Sequence, residues 1–123
     1  MKLTLLPLFA LATGFPMADN KAACAAKNGE LMDTIQAFCG GTTNMVVPSD
    51  YAGNDKGGAF SADEHSFIYI NGPDCDKESV PQNVCFNNFY DMCAQGGKHG
   101  GSTASYGLGG CQKWTISYLR HAY

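Results

Sequence analysis

Six cysteines in a chain of 123 residues constrain this fold more than any other sequence feature. They are Cys24, Cys39, Cys75, Cys85, Cys93 and Cys111. An even number of cysteines in a short exported chain is typical of a disulfide framework. Zinc is not expected, because no Cys-x-x-Cys pair occurs and His65, His99 and His121 stand singly. We predict a disulfide-stapled chain with three disulfides, no bound metal and no cofactor.

The N-terminal segment has the order of a signal peptide. Lys2 gives a basic start, an apolar run covers residues 3–12, and small or turn-forming residues follow. The run is shorter than the roughly 20 residues that cross a bilayer, so we expect no membrane insertion. The pattern predicts a signal peptide over residues 1–18, with a competing cleavage site after Gly14. A single secreted, extracellular domain is predicted over residues 19–123.

The charge of the expected mature domain argues against nucleic acid as a partner. Removal of Lys2 with the signal peptide leaves seven lysines and arginines against eleven aspartates and glutamates, a net charge of −4 with neutral histidines. Phosphate binding needs concentrated positive charge, and the sequence contains no basic cluster. We therefore expect no nucleic-acid partner.

Apolar periodicity predicts two main helices. The first covers residues 21–38, but Gly29 weakens its middle, so the pattern also fits a short helix followed by a longer one capped by Asn28. The second helix begins near Pro81 and ends at Gly96.

Three strands are predicted between and after the helices. Residues 66–70 are apolar on both faces, which is typical of a central strand, and residues 45–47 form a weaker strand. Residues 113–119 alternate, with Trp114, Ile116 and Tyr118 on a face predicted to be buried. The order of elements predicts one small α/β or α+β domain in which helices cover a short sheet.

The second helix restricts the disulfide pattern. Cys85 and Cys93 lie eight residues apart, roughly 12 Å along a helix axis, which exceeds the Cα separation that a disulfide tolerates. We predict that these two cysteines do not pair, and the remaining connectivity stays open. Cys93 and Cys111 bracket the glycine-rich segment 94–110, which is predicted to be a functional or partly disordered loop.

Two predicted loops carry residues suited to sugar recognition, which uses an aromatic ring for C–H groups and polar groups for hydroxyls. The first loop offers Tyr51, Asn54 and Asp55. The second loop offers His99, Ser102, Thr103 and Tyr106. The competing interpretation of each residue is a surface loop without a ligand, and Trp114 is expected in the core rather than in a binding platform.

Patterns that indicate catalysis are weaker. The sequence has no Gly-x-Ser-x-Gly frame, and its cysteines are assigned to disulfides, which argues against a protease or esterase. Glu64 and His65 resemble the acid/base pair of a secreted ribonuclease, with His99, Lys113, Arg120 or His121 as phosphate-facing partners. Neighbours on a strand point to opposite faces, however. We predict no catalytic residue and keep a small ribonuclease or hydrolase as an alternative.

The C-terminal third resembles a known family of lectins. The motifs are FYDMC at residues 89–93, a glycine-rich segment, and GCQKWTI at residues 110–116. Together they resemble the fungal Y-three-like glycan-binding lectins. The resemblance implies an α/β/α-type sandwich and a secreted fungal lectin, and it transfers no binding residue to this chain.

The combined expectation is a non-enzymatic, cysteine-rich protein whose partners are glycans or glycoproteins. The first alternative is a small secreted effector or toxin that binds a host surface protein on the same kind of scaffold. The ribonuclease or hydrolase is the second alternative.

Overall fold

A computed structural model describes residues 17–41, 43–48 and 58–118. In this part of the chain the helices are α1 (Met17–Lys27), α2 (Gly29–Gly40) and α3 (Gln82–Gln95). The strands are β1 (Asn44–Val47), β2 (Ala59–Phe60), β3 (Ser66–Asn71), β4 (Glu78–Pro81), β5 (Ser102–Tyr106) and β6 (Gln112–Tyr118). The predicted α/β class and the single disulfide-bonded domain are confirmed. The described residues form three α-helices, as in the predicted alternative with a divided first helix, and their strands form two antiparallel sheets.

The first predicted helix is in fact two helices that meet at Asn28. Its Oδ1 accepts the N–H of Leu31 at 3.1 Å, which is the N-cap bond that the sequence predicted. Its Nδ2 donates to the hydroxyl of Ser66 and to the backbone carbonyl of His99, both at 3.1 Å. The junction between the helices therefore also positions the start of β3 and the turn before β5.

The predicted signal peptide falls almost entirely outside the described residues. The described residues begin at Met17, the first residue of α1, so they include the last two residues of the predicted 1–18 segment. None of the described helices combines the length and the hydropathy that a membrane span requires.

Two disulfides fasten α3 to the other helices, and a third joins two loops. The pairs are Cys24–Cys93, Cys39–Cys85 and Cys75–Cys111. The prediction that Cys85 and Cys93 do not bond to each other is confirmed, because each one reaches a different helix. Between α2 and α3, Phe38 also packs edge-to-face on Phe89, with ring centroids 5.7 Å apart.

The larger sheet has the strand order β2-β3-β6-β5, and β1 and β4 form a separate pair. β3 has a neighbour on each side, so its predicted central position is confirmed. Ile68 pairs with Ile116 and Ile70 with Trp114, and all four side chains are buried. Helices α2 and α3 both contact this sheet and each other, which places the core between the helices and one face of the sheet.

The core is centred on Trp114, whose side chain is fully buried as predicted. Its ring packs against Phe89 and Tyr106, with centroid distances of 4.8 and 4.9 Å. A buried indole N–H needs an acceptor. Nε1 of Trp114 donates to Oε1 of Gln112 at 2.8 Å, and Nε2 of Gln112 donates to the carboxylate of Glu78 at 2.9 Å. This chain of hydrogen bonds connects the core of β6 to β4.

The glycine-rich segment 94–110 differs from the predicted loop, because it contains β5. This strand pairs antiparallel with β6, from Ser102 opposite Ile116 to Tyr106 opposite Gln112. The sequence STASY shows little contrast in hydropathy between its two faces, so the period of two that marks a strand is weak. Pairing with the strongly alternating β6 makes this segment an edge strand.

Candidate functional site

One face of the larger sheet points away from the helices. Side chains alternate between the faces of a strand. In β3, Ser66, Ile68 and Ile70 are buried, whereas the residues between them are half-buried. Strand pairing places the corresponding residues of β2, β5 and β6 on the same side. We call this surface the open face; its side chains are Phe60, Phe67, Tyr69, Asn71, Thr103, Ser105, Lys113, Thr115 and Ser117.

Three aromatic side chains, Phe60, Phe67 and Tyr69, form a row along one side of the open face. Phe60 pairs with Phe67 across the strands, and their ring centroids lie 4.4 Å apart at an interplanar angle of 33°. The ring centroids of Phe67 and Tyr69 lie 5.3 Å apart, at an interplanar angle of 31°. Phe60 is 60% exposed. This aromatic row therefore presents a large apolar side chain to solvent at its β2 end.

A glycine brings the backbone close to the aromatic row. Gly58 has a φ of +82°, in the left-handed region that favours glycine. A Cβ at this position would lie 2.5 Å from the carbonyl oxygen of Ile68 and 2.9 Å from the ring of Phe67. Gly58 is therefore required for the approach of the chain to β2 and for the position of Phe60.

Polar side chains occupy the other half of the open face. Thr115 of β6 lies directly opposite Tyr69, and Lys113 lies opposite Asn71. Nζ of Lys113 donates to the hydroxyl of Ser105 on β5 at 2.8 Å. An aromatic ring, an amide, hydroxyls and one ammonium thus lie on neighbouring positions of a rigid sheet.

The open face carries one charge, that of Lys113, and no carboxylate. Among residues 17–41, 43–48 and 58–118, the single contact within 4 Å between a basic and an acidic side chain joins His65 and Asp63, which are not members of the open face. The ammonium of Lys113 therefore has no described carboxylate within 4 Å, although the chain as a whole has a net charge of −3.

The structure describes the second of the two groups predicted from loop chemistry. Tyr51, Asn54 and Asp55 lie outside the described residues. Side chains alternate along β5, and Thr103 is exposed on the open face. Ser102 and Tyr106 therefore point to the helix side of the sheet. Of the second predicted group, Thr103 alone belongs to the open face.

Ser102 and Tyr106 have structural contacts on the helix side. The hydroxyl of Ser102 donates to the carbonyl of Met92 at 3.1 Å, which fastens β5 to α3. The ring of Tyr106 packs edge-to-face on Trp114. Burial, with a smaller contribution from the negative charge of Asp91, raises the pKa of the Tyr106 phenol above its ordinary value. Tyr106 therefore remains protonated at neutral pH.

His99, the remaining member of the second predicted group, and His65 both contact one phenol ring at the end of the sheet. The imidazole of His99 stacks on Tyr118, and His65 meets the same ring edge-on at a centroid distance of 5.9 Å. Tyr118 pairs with Ser66, which is buried on the helix side of the sheet. Two of the histidines named in the ribonuclease alternative, His65 and His99, thus contact the same ring, on the opposite side of the sheet from the open face.

The carboxylate next to the His65 imidazole is that of Asp63, two residues earlier, and not that of the predicted Glu64. Oδ2 of Asp63 lies 3.2 Å from Nδ1 of His65. Hydrogen bonds from the Ser61 hydroxyl and from the N–H of His65 lower the pKa of Asp63 to about 2. A hydrogen bond with Asp63 raises the pKa of Glu30, because the bond forms when Glu30 is protonated.

Among the described residues, one group of three side chains is of the type that can bind a metal, and it consists of Cys75, Glu78 and Cys111. The two cysteines form a disulfide, so neither offers the thiolate that binds a metal. The carboxylate of Glu78 instead accepts the N–H of Leu108 at 3.1 Å and the amide of Gln112. Glu78 therefore fastens the turn between β5 and β6.

Sequence reasoning missed the open face because it treated each strand alone. Because both sides of residues 66–70 are apolar, the pattern predicted a central strand and marked neither side as exposed. The signal was in β6, where Thr115 and Ser117 alternate with the buried residues. Aromatic side chains that lie beside the polar face of a neighbouring strand belong to an exposed surface. This inference is possible only when β3 and β6 are known to be neighbours. Phe60 lies on a strand of two residues, too short for any pattern.

The chain matches no protein-family model, no curated protein and no solved structure. Its fold and surface define a class: a small disulfide-bonded α/β protein with one sheet face packed by helices and the other carrying an aromatic row beside polar side chains.

Proposed function

We propose that this protein is a secreted, non-enzymatic carbohydrate-binding protein of the fungal lectin type that its C-terminal third resembles, and that it binds glycans on the open face. The observation that carries the proposal is the aromatic row of Phe60, Phe67 and Tyr69 lying beside hydroxyl and amide groups. Sugars offer both an apolar C–H face and a ring of hydroxyls, so a site for them combines these two kinds of group.

The rings of the aromatic row differ in what they offer a sugar. Phe60 and Phe67 are close enough for contact between ring faces, so Phe67 turns one face toward its neighbour. Phe60 stands at the end of the row and is the more exposed ring. It therefore offers the surface on which a sugar can stack, while the Tyr69 hydroxyl and Thr115 offer hydrogen bonds.

Export is part of the proposal. It is supported by the signal-like pattern of residues 1–18 and by the pairing of all six cysteines in disulfides. Disulfides of this kind form and persist in oxidising compartments. Mass spectrometry of the protein from culture medium tests this point, and we expect a mature N-terminus near residue 19.

Binding of correctly oxidised protein to a broad glycan array tests the function. We expect a specific set of glycans to bind, and Phe60→Ala to weaken that binding at least about tenfold by removing the stacking surface. The matched control is Val84→Ala, which shortens an exposed apolar side chain on α3 and should leave binding unchanged. Capture of a host surface protein with no glycan bound would favour the effector alternative instead.

The ribonuclease alternative has one supporting observation, the proximity of His65 and His99 around Tyr118. It ranks below glycan binding because Asp63 and Glu30 place carboxyl groups at the same point, where a phosphate would be repelled. Incubation of the folded protein with RNA tests it. Cleavage that is abolished by both His65→Ala and His99→Ala would place this alternative first.

A further inference from the structure

We infer that the open face selects glycans that carry an acidic group, and that Lys113 is the residue that recognises this group. The inference rests on the proposed glycan binding and specifies the ligand class for the same surface. Its basis is the location of the one cation among aromatic and hydroxyl side chains.

Lys113 lies within reach of a sugar that contacts the aromatic row. It pairs with Asn71, which follows Tyr69 by two residues on the same face of β3. Diagonal neighbours of this kind on an antiparallel sheet lie roughly 7–8 Å apart at the backbone, which long side chains can bridge. A sugar chain that lies beside Tyr69 and extends across β6 toward β5 would therefore place a substituent near the ammonium of Lys113, which is hydrogen-bonded to Ser105 of β5.

The ammonium is held in position and is not neutralised by its surroundings. Its hydrogen bond to Ser105 directs it across the open face toward β5. No described carboxylate lies within 4 Å of it, and the other members of the open face are uncharged. A lysine acts as a point charge, so it can receive a carboxylate or a sulfate, and Asn71 and Ser105 offer further hydrogen-bond partners.

The charge of the rest of the molecule limits the size of this selection. The expected mature chain, with a net charge of −4, repels acidic glycans, and the attraction by Lys113 acts against this repulsion. Because Lys113 is exposed, the attraction is that of a surface ion pair, and we expect a preference of about two- to fivefold.

Matched pairs of sugars test the inference. The probes are sialyllactose against lactose, oligogalacturonate against its methyl ester, and a sulfated oligosaccharide against its desulfated form. For the pair that binds, wild-type protein should prefer the acidic member about two- to fivefold at low salt, and the preference should fall as NaCl is raised. The pair in which the preference is found identifies carboxylate or sulfate as the acidic group.

Two lysines separate the inference from a general charge effect. Lys113→Met should abolish the preference while binding to the neutral member persists, and Lys113→Arg should retain it. Lys98→Met removes one positive charge from an exposed position outside the open face and should leave the preference intact.

The outcomes for the inference and for the proposed function are distinct. Equal binding of both members of every pair by wild-type protein, with binding still lost in Phe60→Ala, would overturn the inference alone. So would a preference that survives Lys113→Met. Absence of binding to any member of any pair, together with a blank array, would overturn the proposed function and the inference with it.

Discussion

The imidazole of His99 lies nearly parallel to the phenol ring of Tyr118, with the ring centroids 4.1 Å apart and an interplanar angle of 19°. The backbone of the same histidine is fixed by the hydrogen bond from Asn28 to its carbonyl. His99 therefore closes the end of the sheet next to the junction of α1 and α2.

Replacing His99 by alanine should destabilise the fold without changing glycan binding. The loss of one aromatic pair should lower the free energy of unfolding by about 0.5–1.5 kcal/mol. Urea denaturation measures this change, and Lys98→Ala, one residue away and exposed, is the control. A loss of glycan binding at unchanged stability would instead support the original prediction that His99 contacts the ligand.

Acid should remove a stabilising contribution from Asp63. Its pKa is about 2 in the folded protein against 3.8 ordinarily, so the ionised form is favoured by folding. The contribution is fully present above pH 3.8 and is lost as the pH falls toward 2. Thermal unfolding between pH 2 and 5 should show a smaller decrease in Tm for Asp63→Asn than for wild type. The control is Asp74→Asn, in the exposed turn after β3, and its Tm should decrease with falling pH as much as that of wild type.

Glu30 should oppose this trend. Its pKa is raised by the hydrogen bond with Asp63, so folding favours the protonated form. That contribution is present below pH 4.5 and is lost as the pH rises through the folded-state pKa. Glu30→Gln keeps a hydrogen-bond donor for Asp63 at every pH. Its Tm should therefore change less than that of wild type between pH 4 and 7, and an identical pH profile would contradict the assignment.

Lys27 should stabilise the C-terminal end of a helix other than its own. Its Nζ donates to the carbonyls of Cys93, Ala94 and Gly96, at 3.3, 2.5 and 2.9 Å. These carbonyls carry the negative end of the α3 dipole, and α3 has no basic residue in its last turn. Lys27→Met should lower the free energy of unfolding by about 1–2 kcal/mol, measured by chemical denaturation. Lys98→Met should have no comparable effect.

Removal of the Cys75–Cys111 disulfide should affect both stability and ligand preference. The bond spans 36 residues, and its loss through a double alanine variant should cost about 3–4 kcal/mol. Cys111 directly precedes β6, so the position of Lys113 should loosen and the preference for acidic glycans should weaken. A variant that lacks Cys39–Cys85 provides the contrast: it should lose stability but keep the preference, because that bond lies between helices.

The main elements of the fold could be predicted because their information is local. The Asn28 cap, the glycines after α3 and the alternation of β6 each act within a few residues, and the structure confirms the elements that they predicted. The eight residues between Cys85 and Cys93 also sufficed to exclude one disulfide. The actual pairs could not be derived, because they depend on how α1 and α2 pack against α3.

The candidate site was less predictable for a related reason. The open face exists only when β2, β3, β5 and β6 are assembled in that order, and neither β2 nor β5 has a strong pattern of its own. Loop composition directed attention to Ser102 and Tyr106, yet the register of β5 turns both toward the helices. Binding surfaces made from several strands require the topology first, and a single sequence supplies it poorly.

The disulfides between the helices are nested, since Cys39–Cys85 lies inside the segment closed by Cys24–Cys93. A single cleavage of the backbone anywhere between residues 40 and 84 therefore leaves both pieces covalently joined, through two disulfides when the cut precedes Cys75 and through three when it follows Cys75. The segment that can be cut in this way includes the whole aromatic row. A protease that cuts the protein once in this region therefore releases no fragment, and the two pieces stay together in a one-to-one ratio.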